Sequence, residues 1–340
     1  MSGRGGQGGG KPMQKIKFKQ AVLVLAVLAS GAAYAQSNVT LYGRVNTTVE
    51  RQKTGDATVG GVFNNASRFG FVGTEDLGGG LKAGFQLESG FNSDTGAAAA
   101  TFFGRRSEVN LSGGFGTVRL GRFFAESYFA TADYVSLHNH DTGSSSDALY
   151  AYVMRDTNKV AYRTPSIANL TVEAAVGLHE QIKNTPAAAG ANGKYAQDLA
   201  ANYKLGALEL GAGYTHLDIA RQAAFRALYT VGPFIVGGYY QRDKNAYVVN
   251  GGERNNLRLA GAYLFGASEL HLNVGRADSY KNVADSGATQ ATIAYNYKLS
   301  KRTKVYAYYT RVNNDRNAVY NVGTAGQKFS SVAAGIRHNL

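Results

Sequence analysis

The sequence predicts an all-β fold, a sixteen-stranded antiparallel transmembrane β-barrel with a long third loop that folds inward. Three observations predict it: short segments alternate in polarity, their connections alternate between short and long, and a secretory signal precedes the first segment. Alternation with a period of two is typical of strands that have one apolar face and one wet face. Strands of about ten residues are long enough to cross a bilayer when they are tilted.

The first 35 residues have the features of a secretory signal. Three lysines precede the short apolar stretch 21–29, and Ala33-Tyr34-Ala35 supplies the small residues that a cleavage site needs. The apolar stretch is too short for a membrane helix. The Gly-rich residues 1–12 are either an extension from an upstream start codon or an expression tag. We therefore predict an N-terminal extension and a cleaved signal peptide over 1–35, and one barrel domain over 36–340.

The chain carries a basic excess, with 36 Lys and Arg against 23 Asp and Glu. The first 35 residues hold five basic and no acidic residues, so the remaining 31 basic and 23 acidic residues leave +8. Proteins that bind nucleic acid concentrate such charge in a patch or stripe, whereas here it is spread over strands and loops. We therefore exclude nucleic acid as a partner. The absence of Cys excludes disulfides and thiolate metal sites.

The strands are predicted from alternation and from turn residues. In the first, Val39, Leu41 and Val45 alternate with polar residues that include Arg44, so Arg44 is expected on the inner face. Short turns alternate with long loops, such as 52–66, as on the two rims of an outer-membrane barrel. Tyr and Phe crowd the strand ends, which indicates an aromatic girdle, although β-propensity alone also favours aromatics in strands. The predicted strands are 38–50, 67–75, 81–90, 105–113, 116–122, 157–164, 169–178, 196–204, 207–216, 223–231, 234–242, 255–264, 268–277, 288–297, 303–312 and 329–339.

Residues 123–156 interrupt this rhythm for more than thirty residues. They carry aromatics, scattered acids and a Gly-Ser-Ser-Ser run. A long segment without strands inside a compact β protein is usually functional or disordered. We predict that 123–156 is a constriction loop, which folds into the barrel and narrows its lumen.

The inventory of catalytic residues is thin. His138-Asn139-His140-Asp141 has the residue types of a metal site, but a polar loop tip is the preferred interpretation because no second ligand pair occurs at a fixed spacing. No nucleophile elbow and no phosphate-binding loop occurs. We therefore expect no cofactor, no metal and no enzymatic activity. The alternative is an outer-membrane barrel enzyme of the lipase or protease type, which would need a Ser/His or Asp/His set on the barrel wall.

Several segments resemble the Gram-negative general porins. The resemblance is strongest in the stretch from Ser67 to Lys82 (SRFGFVGTEDLGGGLK), in Phe103–Ser107 (FGRRS) and in Gly114–Arg122 (GFGTVRLGR). Leu41-Tyr42-Gly43-Arg44 is similar to the first strand of these proteins, and Val160-Ala161-Tyr162-Arg163 to the sixth. The resemblance covers 36–340, and the branch it resembles is that of the sixteen-stranded, trimeric porins of beta-proteobacteria.

The resemblance implies a passive diffusion channel for small hydrophilic solutes in the outer membrane. It implies a homotrimer in contact with membrane lipid and lipopolysaccharide. The Pro-Glu-Phe loop tip of enterobacterial members is missing here, where Ser136-Leu137-His138-Asn139 stands instead, so we expect small anionic solutes to be preferred.

The resemblance also implies a set of charged pore residues. The basic wall of the family falls on Arg44, Arg68, Arg105 and Arg155. Further candidate lumen charges are Arg106, Arg119 and Arg122. The facing acids on the loop are Asp133 and, as the second choice, Glu126. Two other arginines, Arg254 and Arg316, are expected on outer loops.

Overall fold

A computed structural model describes residues 38–133, 143–180 and 193–340. The predicted signal peptide and the His138-Asn139-His140-Asp141 motif lie outside the described residues. Within the described residues, no three His, Cys, Asp or Glu side chains form a group that could hold a metal ion. The described strands are β1 Asn38–Thr54, β2 Ala57–Asn64, β3 Arg68–Gly78, β4 Leu81–Gly90, β5 Arg106–Gly113, β6 Gly116–Arg122, β7 Lys159–Arg163, β8 Leu170–Gly177, β9 Ala196–Leu205, β10 Leu208–Leu217, β11 Ala220–Val231, β12 Phe234–Lys244, β13 Glu253–Phe265, β14 Ser268–Ala277, β15 Ala288–Lys298, β16 Thr303–Asn314 and β17 Phe329–Asn339.

These strands form one antiparallel sheet that closes on itself. From β3 to β17 each strand pairs with the next in sequence, and β1 pairs with β17 to close the barrel. The first half of β1 pairs with β3, and its second half pairs with β2. Because β2 and β3 lie end to end along β1, they occupy a single position in the wall, interrupted at 65–67. The barrel therefore has sixteen strand positions, and the predicted fold class is confirmed.

The prediction of a loop over 52–66 is wrong. β1 continues to Thr54, and β2 returns after a tight turn in which Gly55 adopts φ +57°, a backbone conformation that suits glycine. The sequence obscured β2 because the pair Gly60-Gly61 has the composition of a turn. In the structure both glycines lie opposite β1 residues in the ladder.

The wall is polar inside and apolar outside. In β1 the side chains of Arg44, Asn46 and Glu50 are buried, whereas Val45 and Val49 on the opposite face are exposed. The same parity holds in β17, where Ile336 lies on the outer face. Large apolar side chains on the outside and polar ones inside are typical of a barrel that crosses a membrane around a wet lumen.

The segment between β6 and β7 contains no strand among its described residues, 123–133 and 143–156. It forms short helical turns at Glu126–Tyr128, Phe129–Asp133 and Gly143–Ser145. No helix in the described part of the chain is long and apolar enough to cross a membrane.

Two glycines of β10 allow the first part of this segment to pack against the inner wall. A Cβ at Gly211 would lie 2.0 Å from the carbonyl oxygen of Ala130, and one at Gly213 would lie 2.6 Å from the side chain of Ser127. Neither separation is possible for real atoms, so only glycine permits this approach. The side chains of Ser127 and Ala130 are accordingly buried.

The second part of the segment is bound by side-chain amides of the wall. Gln241 accepts a hydrogen bond from the Ala151 N–H at 2.8 Å and donates one to the Ala151 carbonyl at 3.1 Å. Gln290 accepts from the Ala148 N–H at 3.0 Å and donates to the Ser146 carbonyl at 2.8 Å. Each amide therefore satisfies backbone groups that would otherwise be buried without partners.

Candidate functional site

A cavity of about 850 Å³ lies inside the barrel, between its wall and the segment 123–156. One side of this basic cavity carries arginines, and the segment contributes aromatic rings and carboxylates. The arginines that line it are Arg44, Arg68, Arg105, Arg106 and Arg337.

Strand pairing brings these arginines together. Arg44 on β1 lies directly opposite Arg68 on β3, and Arg106 on β5 lies opposite Glu88 on β4. Arg105 precedes β5, and its backbone N–H donates to the Glu88 carbonyl at 3.2 Å. Because Arg105 lies outside the regular pleat, strict alternation does not apply to it, and the two consecutive arginines 105 and 106 both line the cavity.

Glu88 is the carboxylate that these arginines share. Its Oε1 lies 2.5 Å from the Nε of Arg105 and 3.6 Å from the Nε of Arg68. The Tyr42 hydroxyl donates to its Oε2 at 2.9 Å. Arg44 is held differently, since its Nε donates to the Ala66 carbonyl at 3.1 Å. Glu88 is therefore a carboxylate that Arg68 and Arg105 share.

In the described ranges, the carboxylates that line the basic cavity are Glu88, Asp133, Asp147 and Glu269. Asp147 lies 2.5 Å from Arg258, and Glu269 lies 2.5 Å from Lys298. Neither of these cations lines the cavity, so they offset two of the acids from outside it. Among the described residues, five arginines and four carboxylates therefore line the cavity.

A second cavity of about 490 Å³ adjoins the first and shares Arg106, Phe129 and Asp133 with it. The structure thus brings Asp133, the preferred candidate for the facing acid, to the boundary between the two cavities. Glu126, the second candidate, lines only the second cavity.

The second cavity contains a balanced ion cluster. Arg119 donates to Glu108 at 3.0 and 2.8 Å and to both oxygens of Glu173 at 2.9 Å. Arg163 donates to Glu173 at 2.8 Å and also to Glu126. Arg106 also contacts Glu108 at 3.4 Å, so three arginines meet three carboxylates. The Arg119 guanidinium also lies 4.1 Å from the centre of the buried Phe123 ring, so its charge is fully engaged.

Burial raises the pKa of the Glu126 carboxyl above its ordinary value. The Arg163 guanidinium opposes this shift, and the carboxylates of Glu173 and Asp198 add to it. Burial outweighs the ion pair because a charge inside the protein loses the solvation that water would supply.

Two further candidates lie elsewhere. Arg155 donates to the carbonyls of Leu178 at 3.2 Å and Lys194 at 3.0 Å, and Arg122 donates to the Gly104 carbonyl. In the described part of the chain, neither arginine lines the basic cavity or the second cavity. Arg155 follows a non-strand segment, so the alternation of a strand does not direct its side chain inward.

The expectation that Arg254 lies on an outer loop is wrong. It belongs to β13 and is fully buried, with its guanidinium 2.7 Å from Asp243 and 2.8 Å from the Leu149 carbonyl. Its charge therefore holds the inward segment against the wall. Arg316 is exposed, as expected, and pairs with Asp285 at 3.3 Å.

Sequence reasoning missed Arg337 and the three wall acids Glu88, Glu108 and Glu173. Each lies on the polar face of its strand, so alternation could have placed it inside. In β4, for example, Phe85 is exposed on the outer face, and Glu88 lies on the opposite, inner face. Nothing local, however, indicates that Glu88 meets two arginines from other strands.

The chain is similar to known outer-membrane proteins along most of its length. The family model described as Gram-negative porin matches residues 21–317. Outer membrane porin protein 32 of Delftia acidovorans is 34% identical, with 94% of this chain and 99% of the relative covered. An outer membrane porin protein of Bordetella pertussis is 28% identical, with 95% and 100% covered.

Solved structures share the barrel. The anion-selective porin from Comamonas acidovorans superposes with a TM-score of 0.76 at 28% identity, covering 90% of this chain and all of the other. OmpF of Salmonella typhi superposes with a TM-score of 0.69 at 15% identity, which shows a common fold only.

Proposed function

This chain belongs to the family of Gram-negative porins, and we propose that its channel prefers small anions. As a member of that family it is an outer-membrane channel protein and not an enzyme. The alternative of a barrel lipase or protease is therefore abandoned. The observation that carries the proposed anion preference is the set of five arginines around one cavity of the barrel interior.

The arginine side chains around the basic cavity keep their positive charge as pH changes. Guanidinium groups stay protonated at any physiological pH. Clefts lined by one sign of charge focus the electric field and raise the local concentration of counterions. Small hydrophilic anions would therefore be enriched in the basic cavity and would cross down their own gradient. The relative from Comamonas acidovorans, named as anion-selective, supports the same direction.

The proposal includes the segment 123–156 as the constriction of this channel. Its described residues bind the inner wall through Gln241, Gln290 and the Asp147–Arg258 ion pair. These contacts support a fixed narrowing, with Asp133 on its surface. In this arrangement, size selection would come from the segment and charge selection from the arginines of the wall.

The proposed assembly is a homotrimer that contacts outer-membrane lipid and lipopolysaccharide. Signal cleavage after Ala35 would begin the mature chain at Gln36. N-terminal sequencing of outer-membrane material checks this, and a mature chain that keeps residues 1–12 would contradict it. Extraction in mild detergent, followed by gel migration before and after heating, distinguishes trimer from monomer.

The test of anion preference is the zero-current potential of the wild-type channel in a planar bilayer with a KCl gradient. We expect the sign that chloride permeation produces at about 0.1 M, where the Debye length is about 10 Å, and a weaker preference at about 1 M, where it is about 3 Å. The control is Arg316→Glu, which changes an exposed loop charge and should leave the potential unchanged. A wild-type channel that prefers potassium at 0.1 M would overturn the proposal.

A further inference from the structure

The side of the basic cavity opposite the arginines is built from aromatic rings. Phe124 and Phe129 meet edge to face at 6.2 Å, and Phe129 meets Tyr128 at 5.7 Å. Tyr128 in turn meets Tyr150 at 5.7 Å and Tyr152 at 5.5 Å. All five rings come from the segment 123–156, and all five residues line the cavity.

Two of the tyrosines direct their hydroxyls into the segment. The Tyr152 hydroxyl donates to Asp156 at 2.6 Å and accepts from the Ala125 N–H at 2.9 Å. The Tyr150 hydroxyl shares a hydrogen bond of 2.6 Å with Thr131. Tyr152 is half-buried at the cavity, whereas Tyr150 is buried and packs with Tyr128 against the wall residues Ala224, Leu228 and Tyr239.

The basic and aromatic sides approach each other at one point. The central carbon of the Arg105 guanidinium lies 5.4 Å from the centre of the Phe124 ring. An anion paired with Arg105 would therefore lie beside the Phe124 ring, which meets the Phe129 ring edge to face. A solute with a carboxylate at one end and a flat apolar ring at the other can satisfy both sides at once.

We propose that the basic cavity is a selective site for aromatic carboxylates, and this inference rests on the proposed anion-preferring channel. The carboxylate would pair with Arg105 and Arg68, and the ring would pack edge to face or offset against Phe124 and Phe129. An aliphatic ring of the same size fills the same space, but it lacks the edge–face electrostatics of two aromatic rings. The site would thus select solutes by their aromatic character as well as by their charge and size.

The experiment compares benzoate with cyclohexanecarboxylate, which has the same charge and nearly the same size. Zero-current potentials of the full-length channel in planar bilayers yield the permeability ratio of the two anions, with chloride as a common reference. We expect benzoate to be favoured by about 2- to 12-fold, the range that one aromatic pair contributes. Phe124→Leu and Phe129→Leu should each reduce that ratio, whereas Phe124→Tyr, which keeps a ring, should retain it.

The control is Phe225→Leu on β11, a half-exposed ring on the outer face of the barrel. It should leave the ratio unchanged. Only inserted channels conduct, so a variant that fails to fold is recognised by the absence of current, and Phe124→Tyr then decides the question. Equal permeation of the two probes with chloride preference intact would overturn the aromatic site alone. Loss of chloride preference in the wild type would overturn the proposed function itself.

Discussion

The two arginine clusters of this barrel contain the same residue type in different surroundings. Around the basic cavity, Arg68 and Arg105 share the single carboxylate of Glu88 and are about a quarter exposed, with side chains at 26% and 29%. In the second cavity Arg119 is buried between two carboxylates, with its side chain at 8%. In the proposed channel, the ratio of arginine to carboxylate, together with exposure, would separate arginines that act on solutes from arginines that hold the fold.

The strongest test of this comparison is reversal of the basic cavity. Replacing Arg44, Arg68 and Arg105 with Glu changes the local charge by six units, so we expect the channel to become cation-preferring. The measurement is the sign of the zero-current potential in dilute KCl. Replacing Arg276, Arg311 and Arg316, which are exposed on the outside or on loops, is the matched control with equal charge change. If the sign of the zero-current potential stayed unchanged in the Arg44, Arg68 and Arg105 triple variant, the basic cavity would not determine the ion preference.

The second test removes the buried arginine. Arg119→Ala leaves Glu108 and Glu173 buried without their main partner, and breaking a buried pair costs about 3–5 kcal/mol. We expect the free energy of unfolding, measured by urea titration in detergent micelles, to fall by that amount, with a smaller change in ion preference. Arg68→Ala, at a residue that lines only the basic cavity, is the partner variant, for which the pattern should reverse. Equal losses of stability in the two variants would erase the distinction between the clusters.

The third test makes the basic cavity more positive. Glu88→Gln keeps the shape of the side chain and removes the shared carboxylate, so chloride preference should rise. A unit charge at about 4 Å is worth about 1 kcal/mol in water, which corresponds to about a fivefold change in the permeability ratio. Glu173→Gln is the matched variant, and we expect it to lower stability instead. A fall in chloride preference for Glu88→Gln would contradict the shared-carboxylate description.

The smallest expected effect is that of pH on stability and on chloride preference. The raised pKa of Glu126 means that the folded protein holds this proton more tightly than the unfolded chain does. Its contribution to stability is therefore most favourable at low pH and is lost as pH rises from the unfolded pKa through the folded one. Acidification also removes a negative charge from the second cavity, so chloride preference should rise by a small amount as the pH falls. This rise should begin at a higher pH than the titration of exposed carboxylates would produce. Glu126→Gln should flatten this rise, and an identical pH profile would exclude Glu126 as its source.

The inward face of the barrel was accessible to sequence reasoning because it depends on parity. The alternation of Val45 with Arg44 and of Ile336 with Arg337 is local, and it indicates which side chains share a face without any knowledge of partners. The same local reasoning failed at 52–66, where Gly60-Gly61 resembled a turn. It also failed for Arg254, because the start of β13 follows a polar stretch that reads as a loop.

The fold class, the inner face of β1 and the interruption between Arg122 and Lys159 follow from the sequence alone, since these depend on periodicity over a few residues. Which charged side chains form ion pairs depends on the folded barrel. Arg119 finds Glu173 across 54 positions of sequence, and Asp147 finds Arg258 across 111. Such partners are set by strand order and register around a closed wall, and that information is absent from any local stretch. For the same reason Arg119 and Arg105 are alike in the sequence, although the closed barrel places Arg119 between Glu108 and Glu173 and Arg105 beside the basic cavity.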